Sequence, residues 1–137
     1  MVYKRKAKVL FVGYGDTSRA LIAAAIANDS GQGYMLARAA GLQPEPLTPE
    51  LLHGLNSLGL GALQPGLEPL DASDLAWADL LVTLDAAATH ACPLLPAWVQ
   101  TRCYPYAPPE NLESLRPLFD ALQQRVAGML GGMAMIA

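Results

Sequence analysis

Two apolar runs constrain this chain more than any other feature. Val9-Leu10-Phe11-Val12 has no polar side chain, and Asp79-Leu80-Leu81-Val82-Thr83-Leu84 has only Asp79 and Thr83. Apolar residues that follow one another without alternation do not suit a sheet with one wet face. They read as strands covered on both faces, the pattern of a parallel sheet. Helical segments stand around them. Arg19–Asn28 is Ala-rich and stops at Asp29-Ser30-Gly31. Residues 50–58 follow Thr48-Pro49, with proline at the first helical position, and close at Gly59 and Gly61. Asn111–Gly128 places Leu112, Leu115, Phe119, Leu122 and Val126 on one side. Tyr34–Ala39 and Gln100–Tyr104 read as further strands, Ser73–Ala78 as a helical turn and Asp85–Ala91 as a short helix. Tyr104-Pro105-Tyr106-Ala107-Pro108-Pro109 holds too much proline for a helix or a central strand. Strands alternating with helices predict an α/β fold with right-handed crossovers, whose site lies at the carboxyl ends of the strands.

Size and charge narrow the function. The 137 residues suit one domain, residues 1–137, and the 53% hydrophobic and 15% charged content excludes a disordered chain. No run reaches the roughly 18–20 apolar residues of a membrane span. The start, MVYKRKAKVLFVG, lacks the long apolar segment and small-residue cleavage site of a secretory signal. Cys92 and Cys103 make no disulfide framework and no metal-binding spacing, so a reducing, cytoplasmic setting is expected, with no metal and no cofactor. Cys103 reads as a small buried hydrophobe. Lys4, Arg5, Lys6 and Lys8 are four of the nine basic residues, which leaves five against twelve acidic ones from residue 9 onward. A body that acidic should not seek nucleic acid. Residues 1–6 read as a basic lead-in and residues 129–137 as an uncharged apolar tail containing Met129, Met133 and Met135.

The loop after the first strand is Gly13-Tyr14-Gly15-Asp16-Thr17-Ser18-Arg19. A Gly-rich loop feeding a helix points backbone N–H groups at one spot, and the helix dipole adds to the pull on an anion. Three readings fit Gly13-x-Gly15-x-x-Ser18. The first is a dinucleotide fingerprint, with Arg38 placed to meet a 2′-phosphate. The second is a phosphate loop, and the third is a plain strand-to-helix turn with Thr17 or Ser18 as its cap.

A resemblance separates them. The stretch Phe11-Val12-Gly13-Tyr14-Gly15-Asp16-Thr17-Ser18-Arg19-Ala20 resembles the Cys-x5-Arg loop of the low-molecular-weight protein tyrosine phosphatase superfamily, which includes the thioredoxin-coupled arsenate reductases. The likeness continues through Ala40-Gly41-Leu42 and is clearest in Ala78-Asp79-Leu80-Leu81-Val82-Thr83-Leu84, followed by Ala91-Cys92-Pro93. It spans roughly residues 7–128. It implies a three-layer sandwich: a four-stranded parallel sheet of order 2-1-3-4 with helices on both faces.

The departures from that pattern carry the functional reading. The family's nucleophilic cysteine is Gly13 here, which has no side chain to attack phosphorus or arsenic. The bracing asparagine is Asp16, which should repel a dianion or pair with Arg19. The second loop cysteine is Ser18, and only Arg19, the phosphate clamp, is kept. The general-acid aspartate is replaced by Pro108, which cannot protonate a leaving group. Glu110 nearby reads as helix N-terminal charge. Of three relay cysteines, the first is Gly13, the second Asp85, and only the third, Cys92, survives as a candidate redox residue. His90 beside it could tune that thiol but reads better as a surface helix histidine, and His53 carries no signal. Asp16 and Asp85 alone make a thin metal site.

These losses predict a catalytically inactive binding or regulatory module. Its expected partner is another protein or a second copy of itself, met through Tyr14, Tyr104 and Tyr106 around the old cleft, or through the apolar tail. The alternatives are a binder of a small anion or phospho-ligand on the remnant loop, and an enzyme with altered chemistry at Ser18 or at a metal.

Overall fold

The computed structural model describes residues 6–15, 18–30, 34–58, 69–91, 95–109 and 111–136. Its strands are β1 (Ala7–Gly13), β2 (Met35–Gly41), β3 (Leu80–Thr83) and β4 (Gln100–Cys103). Its helices are α1 (Ser18–Ser30), α2 (Pro49–Ser57), α3 (Ala72–Trp77), α4 (Ala86–Ala91) and α5 (Leu112–Ile136). The strands form one parallel sheet in the order β2-β1-β3-β4. The expected α/β architecture and strand order are present.

The two apolar runs are the sheet's centre. All four residues from Val9 to Val12 are at most 1% exposed, and their alternation divides them between two cores. Val9 and Phe11 pack with α1, with Leu55 of α2 and with Leu115, Leu118, Leu122 and Val126 of α5. Leu10 and Val12 pack with Leu81, Ala88 and Val99, bordered by Leu75 and Trp77 of α3. Helices therefore cover both faces. In α1, Ala20 to Ala24, Ile26 and Ala27 are all buried. A helix apolar nearly all round belongs inside, and small alanines let it lie close on the sheet and on α5.

Local chemistry sets the helix ends. Thr48 accepts the Leu51 amide at the start of α2, where Pro49 costs no hydrogen bond. Asp71 and Asp74 form a reciprocal capping box on α3. The Ser73 hydroxyl and the Asp74 amide hold the Asp71 carboxyl below its ordinary range. Asn111 is the cap of α5, not its first turn: its Oδ1 accepts the Ser114 amide at 2.9 Å. The edge strand β2 is guarded by Asn28, whose amide group both donates to and accepts from the Ala37 backbone.

Three expectations need correction. The strand expected at Tyr34–Ala39 starts at Met35 and extends to Gly41, because its register with β1 holds as far as Gly13↔Gly41. The apolar tail is not separate from the last helix, since α5 runs on to Ile136. Leucine, methionine and alanine are strong helix formers, and Gly131-Gly132 weakens the helix without ending it. Cys103 is exposed rather than buried, because β4 forms the far edge of the sheet and every one of its residues is exposed. Asp16, Thr17, Cys92 and Glu110 lie outside the described residues, as do Gly59 and Gly61. Among the described residues, no helix is long and apolar enough to cross a membrane.

Candidate functional site

The carboxyl ends of β1 and β3 lie side by side, and their loops meet there. Leu84 donates to the Val12 carbonyl, continuing the β1–β3 contact past the strands. The loop after β1 is pinned from the other side as well: the Gly13, Tyr14 and Gly15 carbonyls accept the Leu42, Gln43 and Glu45 amides. Gly13 is buried at the end of β1, and Ser18 and Arg19 are buried in the first turn of α1.

Arg19 has a carboxylate partner, and it is Asp85. The Arg19 Nη2–Asp85 Oδ2 separation is 3.3 Å, with both side chains about nine-tenths buried. The same Oδ2 accepts the Tyr14 backbone N–H at 3.1 Å, and Oδ1 accepts the Ala88 N–H at 2.6 Å. Arg19 Nη1 donates to the Tyr106 carbonyl at 2.6 Å, which ties the Pro-rich loop after β4 to the same spot. Asp16 lies outside the described residues; among the described residues, the carboxylate that meets Arg19 is Asp85. The physical reason is position. Asp85 follows β3, so its carboxylate stands where the strand ends open onto the loop, and it caps α4 at the same time.

Chemically, Asp85 does here what two oxygens of a bound oxyanion would do. One carboxylate oxygen takes the loop amide and the guanidinium together, and these are the donors a phosphate would use. A second carboxylate stands nearby: a Cβ placed on Gly15 would lie 3.3 Å from Glu45 Oε1. A dianion entering this cleft would have to displace Asp85 and approach Glu45, and both oppose it.

The remaining sequence candidates separate. Tyr14 packs against the core of Leu10 and Val12, whereas Tyr104 and Tyr106 pack against the core of Val9 and Phe11. The Tyr14 and Tyr106 backbones still meet at the Arg19–Asp85 pair. Arg38 lies over the Trp77 ring at 4.2 Å, with Asp74 at 3.9 Å, so its guanidinium already has company. His53 and His90 are exposed on α2 and α4. Pro108 sits in the exposed loop after β4. Among the described residues, no group of three or more His, Cys, Asp or Glu side chains converges on a metal position.

No protein-family model matches the sequence, and no curated protein matches it. Solved structures do. An arginine phosphatase from Geobacillus stearothermophilus superposes with a TM-score of 0.76 at 17% identity, over 94% of each chain. A low-molecular-weight protein tyrosine phosphatase from T. tengcongensis gives 0.73 at 20% identity, over 93% of this chain and 99% of that one. An arsenate reductase from Archaeoglobus fulgidus gives 0.68 at 22% identity, over 90% and 98%. The fold is that of the low-molecular-weight phosphatases and arsenate reductases. Within this phosphatase-like fold, the loop after β1 and the buried Arg19 are the features to interpret.

Proposed function

We propose that this chain is a non-catalytic protein of the phosphatase-like fold, a binding or regulatory module whose anion cleft is filled by its own Asp85 carboxylate. The observation that carries the reading is the contact set of Asp85: Arg19, the Tyr14 amide and the Ala88 amide around one carboxylate. A glycine at the end of β1 supplies no nucleophile, and proline at 108 supplies no proton. Neighbours of this fold include phosphatases of tyrosine and arginine substrates and arsenate reductases. Those three chemistries are the ones to test. Purified protein is expected to show no turnover of an aryl phosphate, a phosphoarginine or arsenate. Turnover abolished by Arg19→Ala would sink the proposal.

Installing a thiol should not revive the chemistry. Gly13→Cys is expected to leave aryl phosphate unhydrolysed, because Asp85 still holds Arg19 and Pro108 still cannot act as an acid. Measurable turnover by this single variant would mean that the cleft admits phosphate after all. The anion-binding alternative has one feature in its favour, the convergence of Arg19 and the Tyr14 amide, and it requires Asp85 to yield. The altered-chemistry alternative loses support because Ser18 is fully buried.

A further inference from the structure

The two edges of the sheet are treated differently. On β2 the Asn28 side chain occupies the Ala37 backbone. On β4, Gln100 and Tyr104 donate to the Asp79 and Thr83 carbonyls of the β3 side. Parallel-strand alternation then turns the N–H and C=O groups of Thr101 and Cys103 outward. Among the described residues, only the Arg102 guanidinium meets this edge, at 3.3 Å from the Thr101 carbonyl. An edge with open donors and acceptors is a template for another strand.

Beside that edge runs a groove of about 850 Å³ between the sheet and α5. Its walls include Trp98, Tyr104, Tyr106 and Met129, with Arg102 on the strand side and Arg125 on the helix side. Trp98 is 62% exposed, a large apolar surface with no internal function. Arg125 is fixed in place: its guanidinium lies 4.2 Å over the Tyr104 ring and its Nε donates to the Tyr106 hydroxyl. Among the described residues, neither Arg102 nor Arg125 has a carboxylate partner. The one acidic lining residue, Asp79, accepts the Lys8 amide. The groove is thus a cationic strip on an otherwise acidic body.

We propose that β4 and this groove take an extended peptide segment of a partner protein, added as a fifth strand and carrying a carboxylate that meets Arg102 and Arg125. A strand added here lies about 4.8 Å from β4. Its backbone bonds to Thr101 and Cys103, and every second side chain projects toward α5. Apolar side chains would meet Trp98, Tyr104 and Met129, and acidic ones the two arginines. Charge selects among occupants. A second copy pairing antiparallel about the middle of β4 would set Arg102 against Arg102, which is unfavourable. The chain's own lead-in carries Lys4, Arg5 and Lys6, the same sign as the groove.

The test is binding of full-length protein to an array of randomised heptapeptides, with hydrogen exchange read at Thr101 and Cys103 for the peptides that bind. The expected result is enrichment of Asp or Glu at alternate positions, slower exchange at both amides, and at least tenfold weaker binding after Thr101→Pro. The Arg102→Glu/Arg125→Glu variant should reverse the charge preference to Lys or Arg. Both substitutions sit at exposed positions, and an unchanged melting curve is the folding control. Several results would overturn the proposal: no binder at millimolar peptide, binding without acidic preference, acidic preference retained in the double variant, or a dimer of the chain that uses β4.

Discussion

Replacing Asp85 with alanine is expected to leave a protein whose stability depends on phosphate. Arg19 and Asp85 are a buried pair, with side chains 7% and 11% exposed. Removing one partner of such a buried pair costs about 3–5 kcal/mol. The lost cap on α4 adds about 1 kcal/mol. For a chain this size, the melting temperature should fall by about 10–20 °C. The space left by the carboxylate keeps the Tyr14 amide and the Arg19 guanidinium as its walls, which is an anion site. Phosphate at 100 times its dissociation constant would return about 2.7 kcal/mol. Wild-type protein should gain no such protection, because its own carboxylate is already in place. Asp85→Asn keeps the shape and a capping oxygen but loses the charge, and should show the same phosphate dependence with a smaller initial loss. Thermal melts with and without phosphate check this. An Asp85→Ala protein with no more phosphate protection than wild type would remove Asp85 from the role of built-in anion.

The second large effect lies in the core. Phe11→Ala is expected to cost about 3–5 kcal/mol, because the ring is fully buried at the centre of the sheet and a cavity would remain. The neighbouring position gives a contrast. Leu10 faces the other core, beneath α4, so Leu10→Ala should add to Phe11→Ala nearly independently rather than share its cavity. Chemical denaturation of the single and double variants measures both. A Phe11→Ala cost below about 1 kcal/mol would mean that the α1–α5 face is not closely packed.

Much of the fold was legible because its signals are local and redundant. Val9–Val12 and Asp79–Leu84 needed only their apolar run to read as central strands, the second starting one residue later, at Leu80. Thr48-Pro49 marked the start of α2 by capping and by proline's lack of an N–H. The end of α5 was harder to place. Glycines in a run of leucine and methionine look like a stop, yet they cost only about 1 kcal/mol each and do not prevent continuation. Cys103 was misread because residue type favours burial, while exposure at β4 follows from the strand order at the sheet's edge. The cleft itself was half legible. Gly13 and Arg19 were found from the loop pattern. Asp85 drew notice only as a lost relay cysteine and a thin metal ligand. A pairing signal was present: a carboxylate directly after β3, whose carboxyl end adjoins that of β1, faces whatever begins α1. It was not read because Asp85 was matched to a lost relay cysteine, and its distance from Arg19 in sequence hid their closeness in space.

The most direct test of the central claim is a phosphate titration of the wild-type protein followed by backbone amide NMR. A cleft filled by Asp85 predicts no saturable shifts at Tyr14, Gly15 or Arg19 up to millimolar phosphate, and their appearance in Asp85→Ala. Saturable shifts confined to those residues in the wild type would contradict the account and make the protein an anion binder.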